Sequence, residues 1–114
     1  MGTALEDEQL DALFTALSDR TRRDIVARLS TGEATVKELA EPYAMSMQAV
    51  SQHIRVLERS GLISQGRHRQ TRPCRLELAA LETALSWIEE SRRTWTDRMD
   101  RLETHLARLQ EGAQ

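Results

Sequence analysis

Five side chains able to recognise the edges of bases, Gln48, Ser51, Gln52, Arg55 and Arg59, recur within the stretch MQAVSQHIRVLERSGL. At about 100° per residue of helix they fall in one sector, roughly opposite the apolar residues Val50, Ile54 and Leu57, which follow the i, i+4, i+7 rule. Arginine makes paired hydrogen bonds to guanine and glutamine to adenine, while serine donates or accepts. A helix laid in a major groove needs such side chains on its outer face. An ordinary solvated face more often carries Glu and Lys pairs, and only Glu58 stands near this one. Gln48, Ser51, Gln52 and Arg55 are therefore the candidate base readers, and the expected partner is double-stranded DNA.

These residues have to be held by the elements around them. Ser46 is a good N-cap for their helix, and Gly61 supplies a left-handed end followed by Leu62. Upstream, Val36, Leu39 and Ala40 share one helical face. Thr35 with Glu38 three residues later forms a capping box that starts this first helix, and Pro42 ends it. Two short helices joined by a turn of about five residues are the layout of a helix-turn-helix.

After Gly61 the segment LISQGRHRQTRPCRLEL predicts two short strands, Leu62 to about Gln65 and Cys74 to Leu78, joined by a loop holding Gly66, Arg67, His68, Arg69, Arg72 and Pro73. A basic hairpin directly after a recognition helix is positioned as a wing against the DNA backbone or the neighbouring minor groove. The alternative is a charged surface loop. Candidate backbone contacts are Arg22, Arg23, Arg59, Arg67, His68, Arg69 and Arg72.

Net charge is −2, which by itself argues against a nucleic-acid partner, but the charge is unevenly spread. Met1 to Ala40 holds five basic and eight acidic residues, and Ala79 to Gln114 five and seven. Between Ser46 and Arg75 lie Arg55, Arg59, Arg67, Arg69, Arg72 and Arg75 against Glu58 alone, a local +5 with His53 and His68 neutral. A basic patch on an acidic body suffices for phosphate binding, because attraction acts over a Debye length of roughly 8 to 10 Å.

The 114 residues fit a single domain with a modest core, 1–114, and the four aromatic side chains add little bulk to it. A first helix is predicted from Leu5 to Leu17 on the spacing of Leu10, Leu13, Phe14 and Leu17. Asp19 caps a second helix to Leu29, with Ile25, Val26 and Leu29 inward, and Gly32 closes it. Arg20, Arg22 and Arg23 near its start oppose the helix dipole, as phosphate contacts or as a solvated cluster offset by Asp19 and Asp24. From about Ala80 one long helical pattern runs to the end. Leu81, Leu85, Ile88, Arg92, Trp95, Met99, Leu102, Leu106 and Leu109 are spaced alternately by four and three, so eight of nine seam positions are apolar. Such a strip needs a partner. Homodimerisation is expected through residues 1–17 and 80–110, with Leu10, Phe14, Leu85, Ile88, Trp95, Met99, Leu102 and Leu106 at the interface. Trp87, off the seam beside Ala80 and Ala84, either packs on the core or walls a small-molecule pocket.

One cysteine excludes an internal disulfide, and no N-terminal apolar run reads as a signal peptide or membrane span, so a cytoplasmic setting is expected. Arg72 and Arg75 beside Cys74 would favour its thiolate, which opens thiol sensing in the wing beside the default of an inert strand cysteine. No local motif supplies a nucleophile with base and orienting group, and there is no glycine-rich phosphate loop, so no enzyme activity and no cofactor are expected.

The segments LFTALSDRTRRDIVARL and TVKELAEPYAMSMQAVSQHIRVLERSGLI, the GRHRQTRPCRLEL hairpin and the long last helix together resemble the ArsR/SmtB group of bacterial transcriptional regulators across nearly the whole chain. The resemblance implies a mainly α winged helix-turn-helix with a small β-hairpin and a long C-terminal dimerisation helix. It also implies a dimeric repressor in which Gln48, Ser51, Gln52 and Arg55 occupy base-reading positions and the wing touches backbone. Arg20 stands where members of that group commonly carry proline.

The effector motifs of the group are different here. Arsenic-type sensors carry a Cys-x-Cys pair near the first helix of the helix-turn-helix, and VKELAEPYAM holds neither cysteine nor histidine. Zinc-type sensors use an Asp-x-His pair and a His-x-x-Glu or His-x-x-His pair on the last helix. Here Asp97 is followed two residues on by Met99, and His105 three residues on by Arg108. One isolated histidine is not a site for a soft or borderline metal, so no metal is expected, and His53 reads as a packing or phosphate contact. The sequence thus predicts a homodimeric repressor of a palindromic operator, released by an unknown small-molecule effector. A metal- or thiol-responsive repressor of the same fold and a winged-helix interaction module without DNA binding are the alternatives.

Overall fold

The computed structural model describes residues 4–66 and 72–112. Its elements, in chain order, are α1 (Ala4–Leu17), α2 (Arg20–Leu29), β1 (Ala34–Thr35), α3 (Val36–Ala40), α4 (Met47–Arg59), β2 (Ile63–Gln65), β3 (Pro73–Leu76) and α5 (Leu78–Gly112). They form two compact units, residues 1–84 and 85–114.

The helix starts follow the caps expected from sequence. Asp19 accepts from the Arg22 amide, Ser46 from the Ala49 amide, and Thr35 and Glu38 form a complete capping box. Each cap satisfies an amide that the first turn would otherwise leave unpaired. α3 stops one residue before its C-cap Glu41, ahead of Pro42, and Gly61 takes φ +86 where α4 hands over to β2. In the first unit Leu13 and Ala16 of α1, Ile25 and Leu29 of α2, Leu39 of α3 and Val50, Ile54 and Leu57 of α4 close over Leu62, Ile63 and Cys74, with Ala80 and Ala84 of the last helix. Side chains at i, i+4 and i+7 supply one face of α4 to this core, so its opposite face is left to solvent.

Three points differ from the sequence reading. The wing is part of a three-stranded antiparallel sheet of order β1-β3-β2, because Ala34 and Thr35 pair with Cys74 and Pro73. β3 ends at Leu76, and Leu78 already belongs to α5, two residues earlier than the periodicity suggests. In α1 the buried residues are Leu13 and Ala16, while Leu10 is half-buried and Phe14 is 37% exposed. Small Ala16 packs where the helices approach, a role that apolar periodicity built on large residues does not show.

The second unit is the remaining helix. Leu85, Ile88, Trp95, Met99, Leu102, Leu106 and Leu109 are all exposed, from 38% for Met99 to 63% for Trp95. Arg92, the one charged seam residue, donates to the Glu89 carboxylate at 3.0 Å, one turn earlier on the same helix. No helix among the described residues is long and apolar enough to cross a membrane.

Candidate nucleic-acid interface

α4 delivers its polar face as the sequence predicts. Gln48, Gln52, Arg55 and Arg59 are exposed and Ser51 is half-buried. Ser46, Met47, Gln48, Ala49, Ser51, Gln52 and Arg55 line one shallow surface depression. Met47 is the residue that sequence reasoning missed. By angle it lies towards the core stripe, but in the first turn of α4 the core has not begun to cover it, and it remains 50% exposed beside Gln48. An apolar side chain there suits the methyl group of thymine.

The cations around this face divide into those bound within the protein and those that are not. Among the described residues no ion pair involves Arg55, Arg59 or Arg72, all of which are exposed. Arg75 is partly offset, lying 4.0 Å from Glu33 and 3.7 Å from Glu77. The further candidates Arg67, His68 and Arg69 lie outside the described residues.

Arg22 and Arg23, read from sequence as phosphate contacts or as a solvated cluster, are engaged within the protein. Arg22 donates through Nε to the Ala16 carbonyl at 2.7 Å and through Nη2 to that of Thr15 at 3.0 Å, and Arg23 donates to the Leu17 carbonyl at 2.8 Å. Both therefore satisfy the open carbonyl end of α1, which favours cations. The unfavourable position at the start of α2 is compensated by the end of the helix before it. His53 packs at this junction, with its Nδ1 3.1 Å from Arg22 Nη1 and 3.8 Å from Asp19. The Asp19 carboxyl is held below its ordinary range, chiefly by the hydrogen bond from the Arg22 amide.

Arg28, which the sequence reading left unassigned, holds the turn of the helix-turn-helix. It donates to the carbonyls of Leu39 at 2.9 Å and Glu38 at 3.1 Å, at the end of α3, and lies 5.7 Å over the Tyr43 ring. Tyr43 in turn donates its hydroxyl to Asp24.

The fold agrees with the inert strand cysteine at Cys74 and not with the activated thiolate that was its alternative. Cys74 is fully buried, and burial, with Glu58 adding repulsion, pushes its thiol up to about 11. Strand alternation sends the Arg75 side chain to the opposite face of the sheet, so sequence neighbours are not electrostatic neighbours. The thiol is protonated and shielded at neutral pH.

Comparison with known proteins agrees with this geometry. Residues 17–65 match a family model described as a helix-turn-helix domain. The HTH-type transcriptional regulator Rv2034 of Mycobacterium tuberculosis is 40% identical over 89 residues, which cover 75% of this chain and 78% of that one. A crystal structure of an ArsR family transcriptional regulator superposes with a TM-score of 0.77 at 38% identity, covering 84% of this chain and 97% of the other. The chain belongs to the ArsR family. It is a DNA-binding, winged helix-turn-helix regulator of transcription. The transcriptional repressor SdpR of Bacillus subtilis is 30% identical over 79 residues, which are 69% of this chain and 88% of that one.

Proposed function

We propose that this ArsR-family chain acts in the cytoplasm as a homodimeric repressor. Each α4 reads one half of a palindromic operator, and a small-molecule effector releases the DNA. The observation that carries the base-reading role is the division of α4, in which Val50, Ile54 and Leu57 are buried while Gln48, Gln52 and Arg55 line an exposed depression with Ser51. Arg59 and Arg72, exposed and unpaired with any described carboxylate, are the backbone contacts best supported by geometry, and Arg67, His68 and Arg69, outside the described residues, stay candidates from the sequence. Arg22 and Arg23 are poorly suited to that role, since their guanidinium groups already serve α1.

The dimer is supported by the exposed apolar row from Leu85 to Leu109. Within the first unit, half-buried Leu10 and exposed Phe14 of α1 are separate candidates. At about 1.5 Å per residue, the row from Leu85 to Leu109 runs over roughly 36 Å of α5, and large apolar side chains along that length are stable in water only when covered. A twofold dimer sets two α4 helices on half-sites about one helical turn, roughly 34–36 Å, or a multiple of it, apart.

Titration of wild type and variants on a selected operator and on random duplex, at several salt concentrations, tests the assignment. Arg55→Ala or Gln52→Ala should weaken operator binding by about 1 to 3 kcal/mol with little change on random DNA. Arg59→Ala and Arg72→Ala should weaken both alike and reduce the slope of log affinity against log salt by about 0.9 per lost contact. Unchanged operator affinity in the Arg55 and Gln52 variants would remove α4 from base reading.

A further inference from the structure

The side chain of Arg22 joins three elements. Its Nε and Nη2 hold the Ala16 and Thr15 carbonyls of α1, its backbone belongs to α2, and its Nη1 meets His53 of α4 at 3.1 Å. Arginine has no acceptor, so in this hydrogen bond Arg22 donates and His53 Nδ1 accepts. Asp19 completes the junction, accepting the Arg22 amide at 3.1 Å and lying 3.8 Å from the same Nδ1. His53 is half-buried and sits at the margin of the apolar face of α4, next to Gln52 and two residues before Arg55.

This placement has a mechanical meaning. Val50, Ile54 and Leu57 anchor α4 by apolar burial, which is non-directional and resists withdrawal of the helix better than it resists rolling about the helix axis. A hydrogen bond at the margin is directional and fixes the roll. Rolling α4 swings Gln52 and Arg55 across the groove, and paired contacts to base edges do not survive such a displacement.

We infer that Arg22 and His53 are positioning residues for sequence recognition: their side-chain bond locks the angle of α4 against the end of α1 and so sets where the base readers point. The inference rests on the base-reading role proposed above for α4. It makes Arg22 a determinant of specificity that contacts no phosphate. Only a forked guanidinium can meet the two carbonyls and the imidazole together, because a lysine ammonium is a single point donor on a flexible stem.

The test uses the full chain and an operator selected by wild type from a random DNA pool. Variants His53→Phe, His53→Asn, Arg22→Lys and the Arg22→Lys/His53→Phe double are titrated on operator and random duplex at several salt concentrations, with circular dichroism to confirm folding. His53→Phe keeps a ring and removes the acceptor, and His53→Asn keeps an acceptor near the place of Nδ1. His53→Phe and Arg22→Lys should each lower the operator-to-random affinity ratio about tenfold, on the order of one lost base pair, with the salt slope unchanged. The double variant should lose no more than either single one, and His53→Asn should recover most of the ratio. Additive losses, wild-type selectivity in His53→Phe, or wild-type selectivity in Arg22→Lys would overturn the positioning role. A wild-type chain that selects no sequence would overturn the reading of α4 itself, and the positioning role with it.

Discussion

Tyr43, in the turn between α3 and α4, donates its hydroxyl to the carboxylate of Asp24 on α2 and lies under the guanidinium of Arg28 from the same helix. The helix-turn-helix is thereby closed onto α2 by one aromatic residue. Burial first, and the hydrogen bond to Asp24 second, raise the Tyr43 hydroxyl above its ordinary value of 10. A raised value means that the folded chain holds the proton more tightly. This contribution to stability is complete below pH 10 and is lost as pH rises through the folded-state value. Tyr43→Phe should cost about 1 kcal/mol at neutral pH and flatten that alkaline loss, measured by denaturant unfolding across the pH range. An alkaline profile identical to wild type would show that Tyr43 does not govern it.

Asp19 works in the opposite direction. Its folded-state value is depressed, so its contribution is present above the ordinary carboxylate value and disappears as pH falls through the lower, folded one. Asp19→Ala should destabilise the chain by about 1 kcal/mol at neutral pH, the usual loss for an N-cap, and by progressively less under acid. Unfolding curves at neutral and acid pH measure the difference. A constant penalty at every pH would assign the effect to packing instead.

Cys74 should behave as a shielded thiol. At neutral pH a disulfide reagent should modify the native chain far more slowly than the unfolded one, and reagent-treated native protein should keep its DNA affinity. Because the thiol is pushed up to about 11, stability should decline as pH rises from the ordinary thiol range towards that value, and Cys74→Ala should remove this decline. Rapid, stoichiometric modification of native protein with release of DNA would establish thiol sensing instead.

Removing residues 94–114 deletes Trp95, Met99, Leu102, Leu106 and Leu109 from the exposed row. Sedimentation should show that the truncated chain no longer self-associates, and its operator affinity should collapse with the loss of the second half-site. An undiminished dimer would place the interface elsewhere.

Zinc, cadmium or arsenite at micromolar concentration, with a thiol reductant present, should leave operator affinity unchanged. Asp97 is followed by Met99 and His105 by Arg108 where two ligand pairs would be needed, and the lone cysteine is buried. Tight stoichiometric metal binding coupled to DNA release would contradict this.

The second helix of the helix-turn-helix was legible in the sequence because two periodic signals coincide there: an apolar stripe at i, i+4, i+7 and a polar sector of Gln, Ser and Arg opposite it, bounded by Ser46 and Gly61. Caps are local, so Asp19, Thr35 and Ser46 could also be read from neighbours three residues away. What escaped depends on contacts distant along the chain. β1 is two residues long, too short to show alternation, and exists through pairing with β3 nearly forty residues later. The role of Arg22 depends on the carbonyl end of the preceding helix and on an imidazole on α4. For Cys74 the inert default holds, and the thiol-sensing alternative fails because it counted the flanking arginines as neighbours when the pleat turns Arg75 away.

Thr35 pairs with Pro73 in the sheet and is also the cap from which α3 begins. Its backbone therefore belongs to the wing and its side chain to the helix-turn-helix. Local opening on one side of that residue removes an anchor from the other, so the two form one cooperative unit. Amide protons of α3 and of β3 should exchange with solvent at a common rate, slower than those of the distal turns of α5. A ligand that tightened the wing would then slow exchange in α3 without touching it.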